Sequence, residues 1–361
     1  MQPLYGLSLV ALLLYRAWSK QSLTSLALVA AGLSASAHAL HPWNTPFILL
    51  AVFYLGSQKA TKKLTGYLSL IQVKHDVKAR LTLSAAGAEG GEGKRNHVQV
   101  LANSISATVL AIAHTYVLSK SSPTESCFSF GGSAADILMV GIVAAADTYS
   151  SELGILSKSK PRLITSWNLR QVPPGTNGGV TAAGLGAGLF GSFTIALSSA
   201  IFTPLCAGLG VQDRALWVIA FSFWGLLGSI LDSVLGGLLQ TTVVDKRSGK
   251  VVEGDNGQRV LVRPGSTKPE NIPASGKSTG NDGLNGPDNS EDSSTIRGSL
   301  ASGQSVGGPV EQEGHHSRQV TVGHDWLNNN GVNLAMSLTM TVGAMSIATW
   351  VWGIDMQELL V

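Results

Sequence analysis

The residues of this sequence that could do chemistry are few, and most of them offer oxygen. The run Asp147-Thr148-Tyr149-Ser150-Ser151-Glu152-Leu153-Gly154 carries two carboxylates and several hydroxyls. In a helix, Asp147 and Ser151 stack at i, i+4, as do Thr148 and Glu152. A third carboxylate, Asp232, sits inside an apolar run on the stripe Gly228, Asp232, Gly236, Gln240. Small residues on such a stripe admit another helix, so the acid faces a partner rather than lipid. Oxygen-rich sets of this kind suit Mg²⁺, which takes one or two carboxylates and completes its shell with substrate phosphates and water. Asp147, Glu152 and Asp232 are therefore the candidate catalytic and metal-binding residues. Blander readings stand beside this one: a helix end meeting water for Glu152, an interhelical hydrogen bond for Asp232.

Between the acids lie residues suited to anions. Lys158 and Arg162 precede Val172-Pro173-Pro174-Gly175-Thr176-Asn177-Gly178-Gly179-Val180-Thr181. Pro-Pro stiffens the chain, and the glycines permit positive φ and close backbone approach. Asn177 or Thr181 is placed to cap a following helix. Successive N–H groups feeding a helix start bind anions. Gly175, Thr176, Asn177, Gly178 and Gly179, with Lys158 and Arg162, form the candidate phosphate site; an ordinary tight turn is the alternative. Arg95, Asn96 and Asn103 open another apolar run, with Asn96, Gln99 and Asn103 on one helical face. Asn330 and Asn333 do the same near the C-terminus, and Gln240 ends the Asp232 stripe, which adds Arg95, Asn96, Asn103, Gln240 and Asn333 to the candidate substrate-binding set. His97 reads as an interfacial residue. Gly276-Lys277-Ser278-Thr279 lacks the earlier glycine of a P-loop, because position 271 is Asn, and it lacks the flanking strand and helix.

The elements that must position these groups are transmembrane helices. Apolar residues make up 44% of the chain and charged residues only 13%, against about 25% charged in soluble domains. A bilayer core needs about 20 apolar residues in helix. The candidate runs are 3–18, 22–40, 44–58, 97–118, 132–149, 180–207, 212–239 and 331–352. The fold class is thus an all-α, polytopic transmembrane bundle of about eight spans (7–9), with one long disordered cytosolic loop. Lys and Arg crowd the loops after the third, fifth and seventh runs, which puts those loops in the cytosol. The chain divides into 1–58, a three-span segment; 59–96, a basic cytosolic loop; 97–247, the core transmembrane region; 248–324, a disordered polar insert; and 325–361, the last span and tail. Asp136, at the outer end of the fifth run, is expected to be solvated. Cys127 and Cys206 read as two packing cysteines. The formal net charge of +3 gives no reason to expect a nucleic-acid partner. The N-terminal run has no basic residue before it, so it reads as a first span rather than a cleaved signal.

These same blocks resemble the transmembrane protein 19 family. The resemblance rests on the run from Asp147 to Gly154, on Pro161-Arg162-Leu163-Ile164-Thr165, and on Pro174 through Val180. It extends to Arg95-Asn96, Gln99-Val100 and Asn103, to the Gly228–Gln240 stripe, and to Asn330-Gly331-Val332-Asn333. The long polar insert departs from the family pattern, and His97 stands where an aromatic is expected. A plant branch of that family is similar to phytyl-phosphate kinase. The resemblance therefore implies an enzyme acting on a prenyl phosphate at the membrane. Joined to the oxygen-rich residues, which argue for Mg²⁺ as cofactor, this gives the expected reaction: phosphoryl transfer from a nucleoside triphosphate, CTP or ATP, to a prenyl monophosphate lipid in the bilayer. The competing readings are a transporter or channel for a small anion or lipid, and a non-catalytic multi-pass protein. An internal membrane such as the endoplasmic reticulum is the expected location.

Overall fold

The computed structural model describes residues 3–59, 82–84, 94–120, 127–131, 133–146, 159–254, 260 and 318–354. Among them the apolar runs form eight helices: α1 Pro3–Ser19, α2 Ser25–Ala39, α3 Thr45–Lys59, α4 His97–Lys120, α5 Ala134–Ala146, α6 Ala182–Phe202, α7 Val211–Leu239 and α8 Asn329–Trp352. Side chains start several of them. Thr24 accepts from Ala27 N, Thr181 from Gly184 N, and Asn328 from Gly331 N, each closing an otherwise orphaned helix-start amide. Asn96 and Gln99 do this reciprocally at the start of α4.

Four helices, α4, α6, α7 and α8, are long and apolar enough to cross a membrane; α1, α2, α3 and α5 are shorter. α7, with 29 residues, reaches about 44 Å, beyond a hydrocarbon core of about 30 Å. α5 has 13 residues, and from Ala135 to Ala145 all but Leu138 are buried. It packs against α3, α4, α6, α7 and α8, so its apolar run meets protein where a peripheral span would meet lipid. Outward-facing side chains on α6 and α7, such as Phe190, Phe193, Phe223 and Leu227, remain exposed and apolar, as lipid contact requires.

The two ends of the bundle differ. At one end, α2 and α4 start side by side, joined by a bridge between Leu23 and Arg95. The same end carries a four-stranded sheet in the order β1-β5-β4-β6, from β1 Thr82–Ser84, β4 Thr242–Asp245, β5 Val251–Glu253 and β6 Arg318–Val322. A small antiparallel pair, β2 Arg162–Leu163 and β3 Gly179–Val180, lies beside it. The all-α expectation therefore holds for the bundle and fails here. β5 and β6 fall inside the supposedly disordered insert, and β1 falls inside the basic loop. Val243, Val244, Val251, Val252 and Val322 bury this sheet. Strands of three to five residues carry too little alternation to register beside long apolar helices.

At the other end, Cys127 and Cys206 form a disulfide, which corrects the reading of two separate packing cysteines. It joins the loop between α4 and α5 to the loop between α6 and α7, and Phe128 N and Cys206 N bond across it to Pro204 O and Phe128 O. Phe128, Trp217 and Trp352 pack edge to face above it. Asp136 belongs to this end and is fully buried, not solvated. Its carboxylate accepts from Ser129 N and Oγ and from Gly131 N, so it holds the disulfide loop in place.

A histidine cluster lies near that end. His41 Nε2 and His114 Nδ1 are 2.8 Å apart, and Trp43 N donates to His41 Nδ1. Burial pushes His41 down to about 4; the Trp43 carbonyl, to which a protonated Nδ1 would donate, opposes this, and nearby His38 adds to it. A histidine kept neutral by folding, with an unfolded value near 6.5, stabilises fully above 6.5 and loses that contribution as pH falls towards 4. Thermal denaturation in detergent should accordingly give a Tm that falls across this window, and His41→Asn should flatten the fall. A wild-type Tm that is level from pH 6.5 to 4 would contradict this.

Candidate functional site

The sheet end of the bundle encloses a cavity of about 230 Å³. Its first wall is the glycine loop. Thr176 N and Oγ1 both bond to Pro173 O, and Gly179 N bonds to Thr176 O, which folds residues 173–179 into a tight double turn. Gly175 and Gly178 have φ of +87° and +77°, the left-handed region where a side chain is strained. Gly178 also lies directly on α7: a Cβ there would stand 2.7 Å from Gly237 Cα and 2.9 Å from Ser233 O. The loop is fixed to the sheet as well. Asn177 N donates to Thr242 Oγ1 and Asn177 Nδ2 to Thr241 O, and Thr82 stands beside Gly175. The sheet thus forms the scaffold of the loop.

The second wall is the inner end of α7. Ser229, Asp232, Ser233, Gly236 and Gln240 all line the cavity, as the 3.6-residue period dictates for one face. Asp232 Oδ1 is buried and has no hydrogen-bond partner among the described residues. A buried carboxylate oxygen without a partner is costly, and such groups are found paired or on a metal. Ser233 Oγ donates back to Ser229 O.

The third element is a pair of helix starts. Thr181, Gly184 and Leu185 bring the N-terminus of α6 to the cavity, and Asn329 and Val332 bring that of α8. Each N-terminus carries about half a positive charge and unsatisfied N–H groups. One cavity therefore sets a carboxylate against two anion-attracting helix ends, a combination that can hold a cation and a phosphate together.

The structure gathers some of the expected site residues and leaves others elsewhere. Asp232, Gly175, Thr176, Asn177, Gly178, Gly179 and Gln240 share the cavity. Arg162 does not line it; its guanidinium is exposed and donates to Leu169 O. Arg95 exchanges backbone bonds with Ser22 and Thr24, and Asn96 caps α4. Asn103 and Asn333 bond to each other at 3.3 Å, tying α4 to α8 beside the cavity wall. No Lys or Arg among the described residues lines the cavity, so the anion-attracting groups found there are backbone. Asp147, Glu152 and Lys158 lie outside the described residues. Among the described residues no three His, Cys, Asp or Glu side chains gather as a metal cluster. One carboxylate flanked by serine hydroxyls still fits Mg²⁺, which usually keeps waters and binds substrate phosphate. Sequence reasoning did not single out Ser229, Ser233, Thr181 and Asn329 as site residues. The i, i+3, i+4 spacing of Ser229, Asp232 and Ser233 was the available signal for two of them.

The model of an integral membrane protein family, DUF92, matches residues 8–341 of the chain. The chain is similar to Protein PGR of Arabidopsis thaliana, 34% identical over 259 residues, which is 69% of this chain and 83% of that one. It is also similar to an uncharacterized membrane protein of Methanocaldococcus jannaschii, MJ0933, 41% identical over 113 residues, 31% of this chain and 43% of the other. No solved structure matches.

Proposed function

This chain belongs to the DUF92 family of integral membrane proteins, and from that premise we propose that it is a membrane-embedded phosphotransferase acting on a lipid monophosphate. The observation that carries the reading is the single cavity that joins the buried, unpartnered Asp232 oxygen to the glycine loop and two helix starts. A cavity of about 230 Å³ suits a phosphate pair and a hydrated cation; pockets that enclose whole small molecules run to about 300–1,000 Å³. The nucleoside and the lipid tail then lie outside it. The prenyl character of the tail is supported by the resemblance of the signature blocks to a family with a phytyl-phosphate-kinase-like plant branch.

In this reading an oxygen of the lipid monophosphate attacks the γ-phosphorus of CTP or ATP. The bond from that phosphorus to the β-phosphate oxygen breaks, and a nucleoside diphosphate leaves with the electron pair. Such transfers depend on positioning and on neutralising charge. The Gly175–Gly179 backbone and the α6 and α8 starts hold phosphate oxygens. Asp232, with Asp147 and Glu152 as the other carboxylate candidates, would hold Mg²⁺, which when bound would supply neutralisation of the phosphate charge. The carboxylate, glycine loop and helix starts that line the cavity lie together at one end of the bundle, which favours this over transport, where binding groups sit near the midplane. The Lys- and Arg-rich loops at the cavity end support a cytosolic orientation. The disulfide at the far end agrees, because disulfides persist in oxidising compartments. An internal membrane such as the endoplasmic reticulum remains the proposed location.

The test is direct. Purified protein is supplied with prenyl monophosphates of several chain lengths, Mg²⁺ and γ-labelled CTP or ATP. The expected product is the labelled prenyl diphosphate, dependent on Mg²⁺. Absence of label transfer with every lipid and both nucleotides would reject the proposal.

A further inference from the structure

The hairpin that precedes the glycine loop takes no part in the cavity beyond its base, and its tip is unlike a water-exposed turn. Leu163 N bonds to Arg170 O, Val172 N to Pro161 O, Ser166 N to Leu163 O, and Leu169 N to Ser166 O. These bonds make residues 161–172 a closed, hydrogen-bonded protrusion. Its base is anchored, since Leu163 and Val172 bury together with Val322. Its tip presents Trp167, fully exposed, and Leu169, 45% exposed, with Leu169 held at φ +47°. Lys160, Arg162 and Arg170 are exposed around the same hairpin, and no Asp or Glu occurs from residue 153 to residue 212.

Depth comes from α7. Thr165 lies against Gly237, where a Cβ would meet its methyl at 3.0 Å, and Ile164 N bonds to Gly178 O. The hairpin therefore leaves the bundle at the last turn of α7, which is long enough to cross a membrane; with about 44 Å of helix against about 30 Å of hydrocarbon, a centred α7 carries that turn at headgroup depth. At the same helix end, Leu238 and Trp326 are exposed, and Trp326 N bonds to Leu239 O. Tryptophan is favoured at this depth because its ring is apolar while its N–H still finds polar partners. Basic side chains at the same level meet the anionic lipids of a cytosolic leaflet.

We propose that the 161–172 hairpin is an interfacial anchor, with Trp167 and Leu169 inserted among the lipid headgroups and Lys160, Arg162 and Arg170 binding anionic phospholipid. The anchor holds the part of the cavity wall lined by Ser159 and Pro161 at headgroup depth. That would present a lipid phosphate to the glycine loop; this consequence rests on the proposed reaction, whereas the anchor itself does not.

The experiment reads lipid contact without turnover. The chain has eight tryptophans, so the Trp167 signal is taken as the difference between wild type and Trp167→Phe, both reconstituted in nanodiscs. With phospholipid brominated near the headgroup, the difference emission should fall about twofold or more, and aqueous iodide should quench it weakly. Strong iodide quenching with no effect of brominated lipid would overturn the anchor, as would shielding that appears only when a soluble protein is added. In a second arm, Lys160→Gln, Arg162→Gln and Arg170→Gln are combined, and bound lipid is analysed after extraction from mixed neutral and anionic membranes. Anionic lipid enrichment should drop by about half or more; unchanged enrichment would reject the basic part. Trp167→Phe should leave Tm unchanged, because the ring is fully exposed.

Discussion

Changing Asp232→Asn is expected to lower Mg²⁺-dependent phosphoryl transfer by about 100-fold or more, equivalent to about 2.7 kcal/mol of barrier, while leaving the protein at least as stable as wild type. The side chain is nearly unchanged in shape, so packing on α7 is preserved. What changes is charge. Asp232 Oδ1 is buried and unpartnered among the described residues, and an uncompensated carboxylate in such a place opposes folding. Removing the charge relieves that cost, and it also removes the group proposed to hold the cation. Loss of activity without loss of stability is the pattern of a functional site maintained against stability. A structural role predicts something different. If Asp232 served as an interhelical hydrogen-bond acceptor, the substitution would lower Tm, and activity would fall only as far as the folded fraction fell. The measurements are turnover across a Mg²⁺ titration and Tm on the same preparation. Full activity in the variant would sink the metal assignment and leave the rest of the cavity in place.

Much of this site is legible in the sequence, and the part that is not has a physical explanation. Asp232 stands out because a carboxylate within an apolar run must face protein, and the structure puts it on the cavity wall. The Pro-Pro-Gly-Thr-Asn-Gly-Gly run stands out because glycines at that density imply positive φ, which Gly175 and Gly178 show. Arg162 is different. Charge type and nearness in sequence suggest a phosphate ligand, but its place in a strand pair turns the guanidinium out towards Leu169 O. Strand alternation, invisible in a two-residue strand, decides that. The sheet is hidden from sequence for a related reason. Its strands come from residues 82–84, 242–245, 251–253 and 318–322, far apart in sequence, and only their pairing gives them a buried face. The disulfide is hidden because two cysteines 79 residues apart carry no spacing signal; their loops meet only once α4 to α7 have packed.

The sheet leads to the second large effect. Gly178→Ala is expected to cost about 2–4 kcal/mol of stability and to reduce turnover of the protein that still folds by more than about tenfold. Backbone strain and steric overlap both contribute. The residue sits at φ +77°, where a Cβ costs about 1–2 kcal/mol. Overlap costs more, because the new methyl would lie 2.7 Å from Gly237 Cα and 2.9 Å from Ser233 O. Both are backbone of a packed helix and cannot rotate away. The loop must therefore lift from α7, which pulls Asn177 from its bonds to Thr241 and Thr242 and moves the phosphate-facing amides away from Asp232. Gly249→Ala separates strain from overlap. Gly249 has φ +66° but nothing within 4 Å of an added Cβ, so it should show only the conformational cost, about 1–2 kcal/mol, with turnover unchanged. Denaturation midpoints and turnover of the two variants, compared with wild type, decide the matter. If Gly178→Ala behaves like Gly249→Ala, the glycine loop is not held against α7, and the cavity does not depend on that contact.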